Sequence, residues 1–171
     1  MMAKIATLLS NLFEDSEYFE PAKEFEAKGH NVVTIEKEAG VIVTGKKRGS
    51  VEIDIGIDDV SHAEFDALLL PGGYSPDILR ADDHFVKFTK EFMDSKKPVF
   101  AICHGQQLLI TAKALAGRDA TGYKSIQVDM EYAGARFLDQ AVVVCQNQLV
   151  TSRTSADMED FIREALTLLG K

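Results

Sequence analysis

The sequence predicts an α/β protein in which a mostly parallel sheet lies between layers of helices. Three observations lead to this fold class. Short apolar runs, such as residues 65–70 and 99–102, have the length of strands that are buried on both faces. Stretches with helical spacing alternate with these runs along most of the chain. The length of 171 residues is enough for one domain with a substantial core, so we expect residues 1–171 to form a single domain.

The first predicted unit is β-α-β. Residues 4–10 form an apolar strand, and residues 31–36 form a second one. Between them lies a helix for which Asp15 or Ser16 is a suitable N-cap. Pro21 falls inside this helix, so we expect either a kink or a helix that properly begins near Pro21.

A β-hairpin is inserted into the parallel pattern. Residues 41–44 and 51–55 alternate between apolar and polar side chains, and Gly45 and Gly49 bound the turn between them. Residues 46–48, with the sequence Lys-Lys-Arg, form the longest basic cluster of the chain. We interpret this cluster as the solvated tip of the hairpin.

The second half of the chain continues the alternation and ends in a hairpin and a helix. The predicted elements are a strand at 65–70, a helix at 82–95, a strand at 99–102, a helix at 108–115, a short strand at 119–123, a short helix at 125–132, a hairpin of residues 141–145 and 149–151, and a helix from a Ser155 cap to residue 169. Ligands of such sheets bind outside the carboxyl ends of the strands, so functional residues are expected there.

Composition and charge exclude several classes of function. The net charge of −8 argues against a nucleic-acid partner, which needs a basic face. No stretch approaches the ~20 apolar residues of a membrane span. A strand pattern begins almost at once, so we expect no signal peptide and a cytoplasmic protein whose Cys103 and Cys145 are reduced. No histidine has ligand-like spacing to a partner, so we expect neither a metal nor a cofactor.

Cys103 and His104 lie where the strand at 99–102 turns into the next helix. Such a turn holds a side chain in a strained, exposed position and directs backbone N–H groups at a ligand. The helix dipole, those N–H groups and the neighbouring imidazole all favour an ionised thiol. We therefore interpret Cys103 as a nucleophile; the alternative is a small buried hydrophobic residue, which is how we interpret Cys145.

Other residues are predicted to meet Cys103 at the same sheet edge. Glu14 follows the first strand, and Gly72 and Gly73 follow the strand at 65–70. The glycine pair lets the backbone approach a ligand, and with the N–H group of His104 it could form an oxyanion hole. Each feature also has a structural interpretation: Glu14 could cap a helix, the glycines could only turn the chain, and Tyr123 could be a packing residue.

In their order and spacing, these segments resemble the ThiJ/PfpI superfamily, specifically the PfpI-type intracellular cysteine peptidases. The resemblance covers almost the whole chain. It rests on Phe13-Glu14-Asp15, on residues 66–73 (DALLLPGG), on Pro76-Asp77, on Ala101-Ile102-Cys103-His104-Gly105, on Gly134-Ala135 and on Val150-Thr151-Ser152-Arg153. It implies a flavodoxin-like three-layer α/β/α sandwich of the kind shared with class I glutamine amidotransferases.

The resemblance also implies roles for individual residues. Cys103 corresponds to the nucleophile, His104 to its imidazole partner and Glu14 to the carboxylate that hydrogen-bonds the thiol. Asp77 stands where the family usually has a glutamate that reaches the histidine of a neighbouring subunit. The protein is therefore expected to be a homo-oligomer, a dimer or a hexamer, with its site near a subunit interface and a Cys–His–Asp triad assembled across it.

Two positions depart from the family's pattern. The family usually has proline at the position of Gln106, and it often has proline at the position of Ser155. Gln106 is expected to shape the pocket together with Tyr123 and Arg153, whereas Ser155 is expected to cap a helix. Neither change removes a catalytic atom.

Three functions are compatible with these residues. The first is a cysteine hydrolase that acts on peptides, with Cys103 attacking an acyl carbon, His104 shuttling protons, and the N–H groups of His104 and Gly73 holding the oxyanion. The second is a glyoxalase or deglycase for methylglyoxal-type carbonyls, with Glu14 as general acid and base. The third is a non-enzymatic stress protein, either a redox sensor or a chaperone. The chain has no long insertion that could build a groove, which favours a short peptide or a small carbonyl compound as substrate.

Overall fold

A seven-stranded sheet organises the computed structural model, which describes residues 2–170. The strands are β1 (Lys4–Leu8), β2 (Asn31–Glu36), β3 (Ile42–Thr44), β4 (Ser50–Glu52), β5 (Ile55–Gly56), β6 (Ala67–Leu70), β7 (Val99–Ile102), β8 (Asp119–Ala120), β9 (Arg136–Phe137), β10 (Val142–Cys145) and β11 (Leu149–Ser152). The helices are α1 (Asp15–Ala27), α2 (Ser75–Leu79), α3 (Asp83–Asp94), α4 (Gln106–Thr111), α5 (Gln127–Tyr132) and α6 (Met158–Leu168).

The order of the main sheet is β10-β11-β7-β6-β1-β2-β5, and every pair except β10–β11 is parallel. Helices cover both faces because successive residues of the central strands point to opposite sides. In β7, Val99 and Ala101 pack into one core with α3 and α4, and Phe100 and Ile102 pack into another with α1 and α6. The predicted sandwich around a mostly parallel sheet is therefore confirmed.

The predicted hairpin is also confirmed, since β3 and β4 pair antiparallel in a sheet of their own. Its tip is attached to the start of α1. The Asp15 carboxylate accepts the backbone N–H groups of Lys47 at 2.8 Å and Gly49 at 2.7 Å. Asp15 is therefore not the N-cap of α1, and the prediction of a cap at Asp15 or Ser16 is wrong: Glu14 is the N-cap residue.

Three further helix boundaries differ from the prediction. The helix α1 already begins at Asp15 and includes Pro21, so a start near Pro21 is wrong. The helix α4 ends at Thr111 and not near residue 115, because Lys113 adopts a left-handed φ of 57° that a helix cannot continue. The turn before α6 is capped by Thr154, whose side chain accepts the N–H group of Ala156, and not by Ser155.

The longest helix is α1, with 13 residues. A membrane-spanning helix needs about 20 apolar residues. Within residues 2–170, no helix is long and apolar enough to cross a membrane.

Candidate active site

Cys103 occupies the predicted turn between β7 and α4. Its φ of 63° is left-handed, and its side chain is 8% exposed. The backbone of Cys103 is held by a hydrogen bond, which its N–H group donates to the carbonyl of Ser152 at 3.0 Å. A Cβ atom at Gly105 would collide with the carbonyl oxygen of Leu70, so only glycine fits there. This strained conformation fixes the thiol at the carboxyl edge of the sheet.

Several polar groups surround the sulfur atom. His104 Nδ1 lies 3.3 Å from Cys103 Sγ. The backbone N–H groups of His104 and Gly73 lie beside the sulfur and favour its thiolate form. The fourth group is the side-chain carboxyl of Glu17, which reaches the thiol from α1 and lines the same cleft.

The carboxyl group beside the thiol is thus that of Glu17, and the prediction that Glu14 holds this place is wrong. Glu17 is 1% exposed and lies one turn further along α1, on the face that packs against the sheet. Its Oε1 accepts the N–H group of Gly72 at 2.9 Å, and its Oε2 accepts the hydroxyl of Ser155 at 3.0 Å. These two bonds fix the orientation of the carboxyl group.

Glu14 points instead toward the tip of the hairpin. Its Oε2 lies 2.6 Å from Lys47 Nζ, and its Oε1 lies 3.3 Å from Lys46 Nζ. Partial burial alone would raise the pKa of Glu14, but its hydrogen bonds and ion pairs with Lys47 and Lys46 outweigh this and lower it. A carboxylate held in its charged form in this way is a poor general acid.

The sequence did contain a signal for Glu17. It is the acidic member of a buried helical stripe that continues with Pro21 and Phe25, at spacings of four residues. A carboxylate on the apolar face of a helix is rarely buried without a specific partner. Here the partners are the thiol, a backbone N–H group and a hydroxyl.

Burial and mutual repulsion determine the protonation of the pair. Burial raises the pKa of Glu17 from 4.5 to about 7. Burial also raises the pKa of the Cys103 thiol to about 12, and the negative charge of Glu17 adds to this effect. These two causes outweigh the N–H groups of His104 and Gly73 and so disfavour the ionised thiol that the sequence led us to expect. The thiol needs a base, and Glu17 is the adjacent group that ionises near neutral pH.

His104 is neutral near pH 7. Burial lowers the pKa of its imidazole, and the positive charges of Lys46 and Arg80 lower it further. The ring stacks on Tyr123 with 4.7 Å between centroids, and its Nε2 lies 3.2 Å from the hydroxyl of Ser125. Within residues 2–170, the imidazole has no carboxylate as a hydrogen-bond partner.

These groups open into a cleft of about 490 Å³. It is lined by side chains and backbone from six parts of the chain: Glu14, Glu17, Lys46, Gly73, Tyr74, Cys103, His104, Tyr123, Ser125, Thr154, Ser155 and Ala156. Tyr123 is therefore at the pocket, as predicted. Within residues 2–170, no group of three or more histidine, cysteine, aspartate or glutamate side chains is arranged to hold a metal ion.

Three residues that were expected at the pocket or the oxyanion hole lie elsewhere or act differently. Gln106 is completely buried, and its Nε2 donates to backbone carbonyls and not into the cleft. Arg153 pairs with Asp157 and Asp139, 3.0 Å away in each case, and does not line the cleft. Gly72 donates its N–H group to Glu17, so Gly73 and His104 supply the free donors.

Asp77 and Cys145 both lie outside the cleft. Asp77 lies on α2 with its side chain 67% exposed, and its nearest ionic partner is Arg80 at 3.6 Å. It does not line the cleft of its own chain. Cys145 is a buried free thiol at the end of β10, in the core on the α3 and α4 side of the sheet.

Comparisons with known proteins show the family of this chain. The DJ-1/PfpI family matches residues 3–168. General stress protein 18 of Bacillus subtilis (strain 168) is 63% identical over 100% of both chains. Protein/nucleic acid deglycase 2 of Escherichia coli (strain K12) is 60% identical, and the protein named "Putative cysteine protease YraA" of Bacillus subtilis (strain 168) is 54% identical, over 99% of both chains in each case.

A solved structure is similarly close. A two-domain protein from Anabaena variabilis, with DJ-1/ThiJ/PfpI-like and ferritin-like domains, is 38% identical and has a TM-score of 0.94. The match covers 98% of this chain and 48% of that longer chain. Schizosaccharomyces pombe DJ-1, at 20% identity, has a TM-score of 0.87 over 98% of this chain and 92% of its own, and supports the fold alone. The chain belongs to the DJ-1/PfpI family.

Proposed function

We propose that the protein is a cysteine-dependent enzyme that acts on small α-oxoaldehydes such as methylglyoxal, or on the adducts they form. Cys103 is the nucleophile, and Glu17 is the general acid and base. The observation that carries this proposal is the buried carboxyl group of Glu17 beside the thiol, with its pKa raised to about 7. A group with a pKa near the working pH both accepts and returns protons efficiently.

The first step joins the substrate to the enzyme. The Glu17 carboxylate accepts the thiol proton while the sulfur of Cys103 attacks the aldehyde carbon. An S–C bond forms, the carbonyl π electrons move to the oxygen, and that oxygen takes the proton back from Glu17 to give a hemithioacetal. The N–H groups of His104 and Gly73 lie beside the sulfur and stabilise the negative charge as it moves to the oxygen.

The second step transfers a proton within the substrate. The Glu17 carboxylate removes the hydrogen of the former aldehyde carbon while the ketone oxygen takes up a proton, which gives an enediol. Glu17 then returns its proton to the former ketone carbon, and the hydroxyl on the former aldehyde carbon loses its proton and becomes the thioester carbonyl. The product is a thioester of a 2-hydroxy acid. One carbon is oxidised and the other is reduced, so the step needs no external oxidant or reductant. Water then breaks the S–C bond, releasing lactate in the case of methylglyoxal and restoring the thiol.

Two further facts support this chemistry. The cleft of about 490 Å³ suits a small molecule or one modified side chain. The relatives named General stress protein 18 and Protein/nucleic acid deglycase 2 are 63% and 60% identical to this chain. Reactive carbonyl compounds and the adducts they form are a substrate class that agrees with both names.

A mass-detected assay of methylglyoxal consumption and lactate formation tests the proposal. The wild type is expected to form lactate, and Cys103→Ser is expected to form none above the buffer blank, because a serine hydroxyl is far less nucleophilic than a thiol. Cys145→Ser is the matched control and is expected to retain wild-type turnover, since Cys145 lies in the core away from the cleft. Full lactate formation by Cys103→Ser would overturn the assignment.

Peptide hydrolysis is a second candidate because Asp77 is exposed and free to contact another subunit. In this alternative the protein is a homo-oligomer, and Asp77 of one subunit orients His104 of its neighbour as the base for Cys103. The relative named "Putative cysteine protease YraA", 54% identical, agrees with this alternative.

Asp77→Asn separates the two functions. If peptide hydrolysis depends on a triad that is shared between subunits, this variant is expected to lose roughly tenfold or more of its peptidase rate. Its methylglyoxal turnover is expected to stay at the wild-type level, because Glu17 and Cys103 belong to one chain. Asp94→Asn, which removes the same charge at an exposed position of α3, is the control. Unchanged peptide cleavage in Asp77→Asn would rule out the shared triad.

A further inference from the structure

The tip of the β3–β4 hairpin, residues 45–49, is fastened to the start of α1. The N–H group of Lys46 donates to the carbonyl of Phe13 at 2.9 Å, in addition to the two bonds that Asp15 accepts from the tip. Glycine is required at both ends of the turn, since a Cβ at Gly45 or Gly49 would lie 2.5–2.6 Å from side-chain atoms of Asp15 or Phe19. The backbone of Lys46 is thus held in place, unlike that of a solvated hairpin tip.

This attachment brings the side chain of Lys46 to the mouth of the cleft. Lys46 lines the cleft together with Cys103 and His104, and its Nζ lies 5.5 Å from the centre of the Tyr74 ring. The positive charge of Lys46 is one cause of the lowered pKa of His104, so its field reaches the reacting groups. The interpretation of residues 46–48 as a purely solvated cluster is therefore wrong for Lys46.

The ammonium group of Lys46 is only partly neutralised by its ion pair with Glu14. Glu14 is the only hydrogen-bond acceptor of Lys46 Nζ within residues 2–170, at 3.3 Å, and the same carboxylate makes a shorter contact of 2.6 Å with Lys47. Two ammonium groups thus share one carboxylate at the cleft mouth, and the Asp15 carboxylate nearby is bound by the backbone N–H groups of Lys47 and Gly49. An ammonium group has three N–H donors, so Lys46 retains free donors.

We propose that Lys46 is a subsite for a carboxylate group of the substrate, and that the preferred substrates are therefore negatively charged carbonyl compounds. An ammonium group with free donors can bind a carboxylate, and the fixed backbone of Lys46 means that no loop has to be ordered on binding. The part of this proposal that concerns turnover depends on the proposed function. The part that concerns anion binding next to Cys103 does not.

The anion subsite can be tested without turnover. Iodoacetate and iodoacetamide alkylate Cys103 through the same displacement of iodide by sulfur, and only iodoacetate carries a carboxylate. The ratio of their rates, measured by mass spectrometry at Cys103, is expected to fall roughly three- to fivefold in Lys46→Met. Arg48→Met removes the same charge from an exposed position of the same turn and is expected to leave the ratio unchanged. An unchanged ratio in Lys46→Met, or an equal fall in both variants, overturns the subsite.

Turnover provides the second test. Methylglyoxal is neutral, whereas 4,5-dioxopentanoate carries the same α-oxoaldehyde group and a carboxylate. Lys46→Met is expected to raise KM for 4,5-dioxopentanoate roughly three- to fivefold more than it raises KM for methylglyoxal. If the wild type converts neither compound, the proposed function fails, and the alkylation ratio still decides the subsite. If both compounds are converted and Lys46→Met affects them equally, the specificity role of Lys46 is wrong.

Discussion

Replacing Glu17 with glutamine is expected to lower kcat/KM for methylglyoxal by roughly 100- to 10,000-fold. The amide is nearly the same shape and still accepts the N–H group of Gly72 through its oxygen, but it can neither take up nor return a proton. Glu24→Gln, at an exposed position of the same helix, is the control and is expected to behave like the wild type. Near-wild-type activity of Glu17→Gln would show that Glu17 is not the general acid and base.

Glu17→Gln is also expected to change how kcat/KM for methylglyoxal depends on pH. In the wild type, kcat/KM should increase as the pH rises through about 7, because Glu17 must lose its proton before it can accept the one on Cys103. The residual activity of Glu17→Gln should lack this step. Rates measured between pH 5.5 and 9 at constant ionic strength test the assignment, and an unchanged step in the variant contradicts it.

Glu17→Gln is also expected to stabilise the folded protein above pH 7. The pKa of Glu17 is raised from 4.5 to about 7 in the folded state, so its contribution to stability is fully present below pH 4.5 and is lost as the pH rises through about 7. This shift corresponds to about 3 kcal/mol of destabilisation in the wild type at pH 8. Urea unfolding at pH 8 and at pH 5 should show the variant more stable at pH 8 and the difference much smaller at pH 5.

Gln106→Met is expected to destabilise the fold by roughly 2–4 kcal/mol. The amide nitrogen of Gln106 donates to three backbone carbonyls: those of Ala101 at 3.3 Å, Thr121 at 2.7 Å and Ser152 at 3.0 Å. These carbonyls come from β7, from the segment after β8 and from β11, so one side chain joins three parts of the chain beneath the cleft. Methionine has a similar volume but no donor, so the carbonyl of Thr121 loses its hydrogen bond from Gln106, whereas the carbonyl of Ser152 keeps the N–H group of Cys103.

Gln107→Met is the matched control for this prediction. Within residues 2–170, the Oε1 atoms of Gln106 and Gln107 are both buried without a hydrogen-bond partner, so the two variants differ in the donor bonds that only Gln106 makes to the three carbonyls. Gln107→Met should therefore cost little or stabilise the protein slightly. Urea unfolding with both variants gives the comparison. Equal stability of Gln106→Met and Gln107→Met would show that the three hydrogen bonds of Gln106 contribute no net stability.

Much of the fold could be predicted from local patterns. The short apolar runs at β6 and β7, the amphipathic spacing of α3 and the glycine-bounded turn of the hairpin depend on residues that are close in the sequence. The alternation of strands and helices indicates a parallel sheet, in which the carboxyl ends of the strands meet at one edge. Cys103, His104 and Gly73 follow such strand ends, so they could be predicted to lie together. The position of the thiol was thus predictable, whereas its protonation was not.

The sequence by itself determined the α/β sandwich, the strained turn at Cys103 and its two backbone donors, since these follow from periodicity and from the ends of strands. Only the tertiary structure decided which carboxylate meets the thiol, how the thiol is protonated, and what Gln106 and Lys46 contact. Glu17 is placed by bonds to Gly72 and Ser155, which are 55 and 138 residues away in the chain. Burial and the identity of distant partners set a pKa, and a local pattern contains neither.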